Sequence, residues 1–116
     1  MKLESLNEVM KNLCDDSGFD METAEFVIET FLNQTNDIVI SAFELINSNR
    51  TDAFHRLEGL MHKLKGSSGN VRAKYIMHLA IRAEESANKE NKHEIQSIIN
   101  EIHEIISAYQ VQIKKE

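Results

Sequence analysis

The sequence contains no proline and no tryptophan, only four glycines and a single cysteine in 116 residues. Few residues would therefore interrupt a helical backbone, and the composition favours helices. Cys14 cannot form an internal disulfide, which fits a reducing compartment. The longest uncharged apolar stretch, 38–43, is too short to cross a bilayer, and the first ten residues lack the apolar core of a secretory signal. We expect one cytoplasmic domain over residues 1–116, without membrane insertion.

Acidic residues are also missing from one segment of an otherwise acidic chain. The net charge is −6, yet residues 59–83 contain no Asp or Glu. A positive segment of this kind attracts a phosphate or an acidic partner surface, although it can also be a solvated helix face. Nucleic-acid binding is not expected, because the bases are few and Tyr75 is the only aromatic residue among them. The bases in the segment are Lys63, Lys65, Arg72, Lys74 and Arg82.

Apolar residues recur at three- and four-residue steps in five segments, which is the period of an amphipathic helix. The first runs from Leu3 to residues 15–18, and the second, of about 27 residues, begins after Asp20 and ends at 47–49. We expect the third to begin after a cap at Thr51 or Asp52 and to end near 68–70, and the fourth to span 72–87. The most regular stripe belongs to the fifth and consists of Ile95, Ile98, Ile99, Ile102, Ile105, Ile106, Tyr109 and Ile113.

The order of these segments predicts the fold class. No stretch alternates apolar and polar residues with a period of two over the length of a strand. Short connections between long amphipathic helices favour antiparallel neighbours. The sequence therefore predicts an all-α protein, an antiparallel four-helix bundle with an extra short N-terminal helix across one end.

His62 lies one residue away from the apolar stripe of the third helix, between Gly59 and Gly66 on the same face. A glycine inside a helix costs about 1 kcal/mol relative to alanine. Because helical side chains lean toward the N-terminus, a side chain at position 66 would cover the imidazole. Lys65 adds an ammonium group and Ser67 a hydroxyl donor nearby. A neutral imidazole nitrogen is a competent nucleophile at neutral pH, so this cluster suggests an accessible reactive histidine rather than an ordinary surface residue.

Residues 61–71 read MHKLKGSSGNV, and this string resembles the His-x-Leu-Lys-Gly-Ser/Ala-Ser/Ala pattern of histidine-containing phosphotransfer (HPt) domains. The resemblance extends over residues 20–110. It implies a phosphorelay carrier with His62 as the phosphoacceptor, Lys65 as the cation beside the phosphate and Gly66 as the small residue that lets a receiver dock. The residues that we expect to bind the partner are Gly59, Lys63, Gly66, Ser67, Gly69 and Arg72.

The resemblance also implies the partners, which are response-regulator receiver domains, a hybrid sensor histidine kinase, or both. The sequence has no Gly-rich phosphate loop, so we expect a carrier without a nucleotide site of its own rather than an enzyme. The Mg²⁺ that the transfer requires is expected on the receiver, and no cofactor is expected on this chain.

Two positions depart from the family pattern. Many members have glycine where this chain has Arg72, which changes the local docking surface. Many phosphorelay members place a glutamine against the ring twenty-two residues after the histidine, and this chain has Glu84 there, as chemotaxis-type kinases have a glutamate. We expect Glu84 to accept the Nδ1–H of His62 and to leave Nε2 free for attack. A slip of one residue would bring Glu85 to the ring instead.

Two other interpretations remain open. His55, Glu58 and His62 share one helix face and could form half of a metal site, completed by His78 or His103. The absence of a His-Glu-x-x-His string and the proximity of a lysine disfavour it. A module that binds receivers without carrying phosphate would also fit the sequence.

Overall fold

The computed structural model describes residues 1–115, and every regular element within them is an α-helix. The predicted all-α fold is confirmed. The chain packs α3 against α4, α4 against α5, α5 against α2 and α2 against α3, which forms the four-helix bundle. α1 packs on α2, at the end of a molecule that measures 45 × 24 × 21 Å. The helices are α1 (Leu6–Ser17), α2 (Met21–Ile46), α3 (Ala53–Asn70), α4 (Lys74–Asn88) and α5 (Lys92–Lys114).

The core follows the predicted stripes closely. All eight residues of the α5 stripe are buried. Six residues of α4 are buried, and α3 contributes Leu57, Met61 and Leu64. Leu3 is exposed and precedes α1, because the helix starts after Ser5, which forms a capping box with Glu8. The buried residues of α4 are Ile76, Leu79, Ala80, Ala83, Ser86 and Ala87.

Two helix starts have different caps, and only one was predicted correctly. The Asp20 carboxylate accepts the Thr23 N–H at 2.8 Å, so its predicted cap is confirmed. Asp52 occupies the N-cap position of α3 but makes no cap hydrogen bond. Its carboxylate instead accepts hydrogen bonds from Arg50 and Arg56, which lower its pKa. The guanidinium groups therefore compete successfully with the helix N–H groups for this carboxylate.

α4 is capped by a residue from the other end of the sequence. Its own N-cap residue, Ala73, has no side-chain acceptor. The Glu4 carboxylate accepts the N–H of Lys74 at 3.0 Å and lies 3.4 Å from the N–H of Tyr75. The Tyr109 hydroxyl of α5 donates to the Glu4 carbonyl, and burial, with the nearby acidic groups, raises the Tyr109 pKa. The segment before α1 is thus fastened to both α4 and α5.

α4 begins two residues later than predicted because Arg72 adopts a left-handed backbone, with φ at 68°. This conformation is unfavourable for a residue with a side chain, and it explains why a glycine suits this position. The Arg72 guanidinium donates to Asp16 at 2.7 Å and to the carbonyls of Gly69 and Asn70. These contacts close the C-terminal end of α3 and connect it to α1.

We predict that Arg72→Gly is more stable than Arg72→Ala, by roughly 0.5–1 kcal/mol in free energy of unfolding. Both variants lose the guanidinium contacts, but only alanine keeps the steric cost of a positive φ. Urea denaturation of the two variants measures the difference. The control is the same pair of substitutions at Gln96, which is exposed within α5. There Gln96→Ala should be more stable than Gln96→Gly, because glycine is the poorer helix former. An alanine variant at position 72 that equals the glycine variant would show that the left-handed backbone carries no cost.

Candidate functional site

His62 projects from the outer face of α3, and 69% of its side chain is exposed. Its Nδ1 lies 2.8 Å from Oε2 of Glu84, which is on α4. A carboxylate only accepts hydrogen bonds, so Nδ1 carries the proton of this contact. The ring is held on one side by α4, and its Nε2 edge is open to solvent. The prediction that Glu84 contacts the Nδ1 side of the ring is confirmed.

The Glu84 carboxylate joins two residues of α3. Its Oε1 accepts a hydrogen bond from Nζ of Lys65 at 3.1 Å, while Oε2 contacts His62. Only 22% of the side chain is exposed. Burial raises the pKa of Glu84, but the hydrogen bonds from Lys65 and His62 outweigh it and hold the pKa below its ordinary value. Glu85 is exposed, so the one-residue slip does not occur.

Lys65 contacts the Glu84 carboxylate, and its predicted role beside a phosphate on the ring stays a prediction. Its Nζ donates a hydrogen bond to Oε1 of Glu84. Its first effect is therefore to neutralise this carboxylate and to fix it in position. His62, Glu84 and Lys65 thus form one hydrogen-bond network, in which the Glu84 carboxylate contacts both other side chains.

Close packing of α3 on α4 places this group. Ser68 is fully buried, and its hydroxyl donates to the Leu64 carbonyl at 2.6 Å, so this buried polar group is satisfied within α3. A Cβ atom at Gly69 would lie 3.2 Å from Sδ of Met77, a tighter contact than side chains normally make. Gly69 therefore serves the packing of α3 on α4, which is a different role from the predicted partner contact.

The other two glycines of α3 are open. A Cβ atom built at Gly59 or at Gly66 would have no neighbour within 4 Å outside its own stretch of helix. Neither glycine is therefore required by packing, although each lowers the stability of the helix by about 1 kcal/mol relative to alanine. Together they leave the helix surface bare on both sides of the histidine. This is the access that the sequence pattern predicted.

Comparison with known proteins identifies the family of this chain. The family model described as Hpt domain matches residues 26–112, which is most of the chain. The chain belongs to the Hpt domain family. Its fold is similar to the crystal structure of a histidine-containing phosphotransfer protein from maize, with 20% identity, a TM-score of 0.70, and coverage of 97% of this chain and 85% of that one. A search of curated proteins found no match.

As a member of this family, the Hpt domain is a phosphorelay carrier of two-component signalling. Its partners are phosphorelay proteins such as receiver domains or histidine kinases, and it is a carrier rather than a conventional enzyme. Within residues 1–115, none of its helices is long and apolar enough to span a membrane.

A groove that the sequence did not reveal lies between α2 and α3 of the Hpt domain. Its volume is about 260 Å³, and its rim carries Phe26, of which 70% is exposed. The only sequence signal for it was an aromatic residue placed outside the apolar stripe of α2. The groove reaches α3 at Ser67, little more than one turn from His62. Its walls include Val27, Phe31, Gln34, Ser67, Asn70 and Val71.

The remaining predicted residues occupy varied positions in the Hpt domain. Lys63 is exposed on the outer face of α3. Ser67 is half-buried and donates to the Leu64 carbonyl at 3.2 Å, so its hydroxyl is occupied within its own helix. Arg72 lies ten residues after His62, about 15 Å along the axis, and its guanidinium is engaged at the end of α3. Over residues 1–115, no three His, Cys, Asp or Glu side chains are grouped closely enough to hold a metal ion.

We predict that Gly66→Leu slows phosphoryl transfer at least tenfold while the free energy of unfolding stays constant or rises by up to about 1 kcal/mol. Leucine is the better helix former, but its side chain would lean back over the histidine. Transfer kinetics and urea denaturation measure the two effects. Gly66→Ala is the control, because a single Cβ meets nothing at this position and should leave the ring accessible. A leucine variant that transfers as fast as the unmodified protein would disprove the need for a bare surface.

Proposed function

We propose that His62 is the phosphoacceptor of this Hpt domain and that Nε2 is the nitrogen that carries the phosphoryl group. The observation that supports this most strongly is the 2.8 Å contact between Nδ1 and Glu84 on a ring that is otherwise exposed. With the proton held at Nδ1, the lone pair at Nε2 points away from the protein. An accessible lone pair on an oriented imidazole is what nucleophilic attack on phosphorus requires.

In the proposed reaction, Nε2 attacks the phosphorus of a phospho-aspartate on a receiver domain. The N–P bond forms as the bond between phosphorus and the aspartate oxygen breaks, and the aspartate leaves as a carboxylate. The reverse reaction passes the phosphoryl group to a second receiver. The Mg²⁺ that neutralises the phosphoryl charge is held by the receiver's carboxylates, and this domain supplies the oriented nucleophile.

We propose that a receiver docks on the face formed by α2 and α3. The Phe26 groove offers an exposed apolar contact between α2 and α3, and Gly59 and Gly66 allow close approach to α3. α3 carries more basic than acidic residues, whereas α2 carries five acidic residues and no basic one. An acidic receiver surface would therefore be attracted to the α3 side of this face, where Lys63 adjoins the histidine. The cytoplasm is the proposed compartment, where the thiol of Cys14 stays reduced.

A module that binds receivers without accepting phosphate would use the same groove. Such a module has no need of a carboxylate that orients the histidine ring. The contact between Glu84 and Nδ1 of His62 serves the ring rather than the groove, and it favours a domain that carries phosphate.

We predict that His62→Gln abolishes phosphoryl uptake from radiolabelled receiver domains of the same cell. In the unmodified protein the label should be labile in acid and stable in base, as phosphoramidates are. His55→Gln is the matched control, because His55 is exposed on the same face two turns earlier and should be dispensable. Circular dichroism checks that both variants keep their helices. Label that persists in the His62 variant would refute the assignment.

A further inference from the structure

Glu84 faces the histidine with a group that can accept a hydrogen bond but cannot donate one. Its Oε2 lies 2.8 Å from Nδ1 of His62, its Oε1 is held by Lys65 at 3.1 Å, and most of its surface is buried against α3. The carboxylate therefore has little freedom to turn away from the ring. Nε2 is on the opposite side of the imidazole, so a phosphoryl group there would not occupy the position of the carboxylate.

We propose that Glu84 is a positioning residue for the donor step, which keeps Nδ1 protonated after His62 has been phosphorylated and so speeds the departure of the phosphoryl group. This inference rests on the proposed function of His62. It concerns the second half of the relay, in which the domain gives the phosphoryl group away, rather than the attack by which it is acquired.

The chemistry of the leaving group explains why this proton matters. When the P–Nε2 bond breaks, its electron pair returns to Nε2, and the phosphoryl group passes to a carboxylate oxygen of a receiver or to water. If Nδ1 holds a proton, the ring leaves as a neutral imidazole. If Nδ1 is bare, the ring must leave as an imidazolate anion, a far poorer leaving group. The protonated form of the phosphorylated ring is therefore the reactive one.

A carboxylate and an amide differ at this position. A carboxylate can contact Nδ1 closely only when the nitrogen carries hydrogen, since two acceptors repel each other. A glutamine can satisfy either form, because its oxygen accepts from a protonated Nδ1 and its NH₂ donates to a bare one. Glutamine, which many family members have here, therefore gives no preference for the reactive form, whereas Glu84 does.

Charged side chains of both helices surround Glu84. Glu58 of α3 and Glu85 and Lys89 of α4 line a cavity with it, and Lys65 and His62 contact it directly. Of the three carboxylates, Glu84 is the one that contacts the ring. Because the Glu84 pKa lies below its ordinary value, the carboxylate stays ionised at neutral and basic pH.

The test follows the loss of the phosphoryl group from purified phosphorylated protein, to a receiver and to buffer, between about pH 6 and pH 10. The unmodified protein, Glu84→Gln and Glu85→Gln are compared. All three are loaded chemically with phosphoramidate, so that uptake from a receiver is not required. Glu85→Gln is the control, because it removes one neighbouring carboxylate that is exposed and makes no contact with the ring.

We expect the rate of Glu84→Gln to decline with rising pH at least one unit earlier than that of the unmodified protein, which makes it about tenfold slower at pH 8. The Glu85 variant should follow the unmodified protein closely. Superimposable pH profiles, or a faster loss from Glu84→Gln, would overturn the inference even with His62 as the carrier. If the unmodified protein takes no label on His62 at all, it is the proposed function that fails.

Discussion

The hydrogen bond between Nδ1 of His62 and the Glu84 carboxylate is the interaction on which the proposed function of this domain depends. It exists only because α3 and α4 lie side by side in one register. Gly69 against Met77 and the small residues Ala80 and Ala83 bring the two helices together, and Lys65 then fixes the carboxylate. The rest of the bundle holds this pair of helices, while the outer face of α3 stays uncovered for a partner.

Much of the fold could be predicted because it depends on local and periodic properties of the sequence. The stripe of α5 identifies every buried residue of that helix, and Asp20 caps α2 as its chemistry suggests. The placement of the histidine between two glycines could also be predicted, since helix geometry converts sequence spacing directly into position. The contact with Glu84 could be predicted from the resemblance to HPt domains, in which the side chain twenty-two residues after the histidine meets the ring.

The features that could not be predicted depend on competition between hydrogen-bond donors for one acceptor, or on contacts between residues distant in sequence. Thr51 or Asp52 was expected to cap α3; Asp52 takes the N-cap position, but two arginines bind its carboxylate in place of the helix N–H groups. Glu4 caps α4 from 70 residues away, and no local pattern marks such a partner. The groove beside Phe26 forms only where α2 packs against α3. The sequence does not distinguish Gly69 from Gly66, and only the position of Met77 shows that Gly69 is required by packing. Tertiary packing decides each of these cases.

The most direct measurement is ³¹P and ¹⁵N NMR of the phosphorylated, ¹⁵N-labelled protein, in which phosphorus–nitrogen coupling identifies the atom that carries the phosphoryl group. We expect coupling to Nε2 of His62, together with a proton signal at Nδ1 that shows its hydrogen bond to Glu84. Coupling to Nδ1, or phosphorus on any other side chain, would contradict the proposed role of this hydrogen bond and of the histidine that it orients.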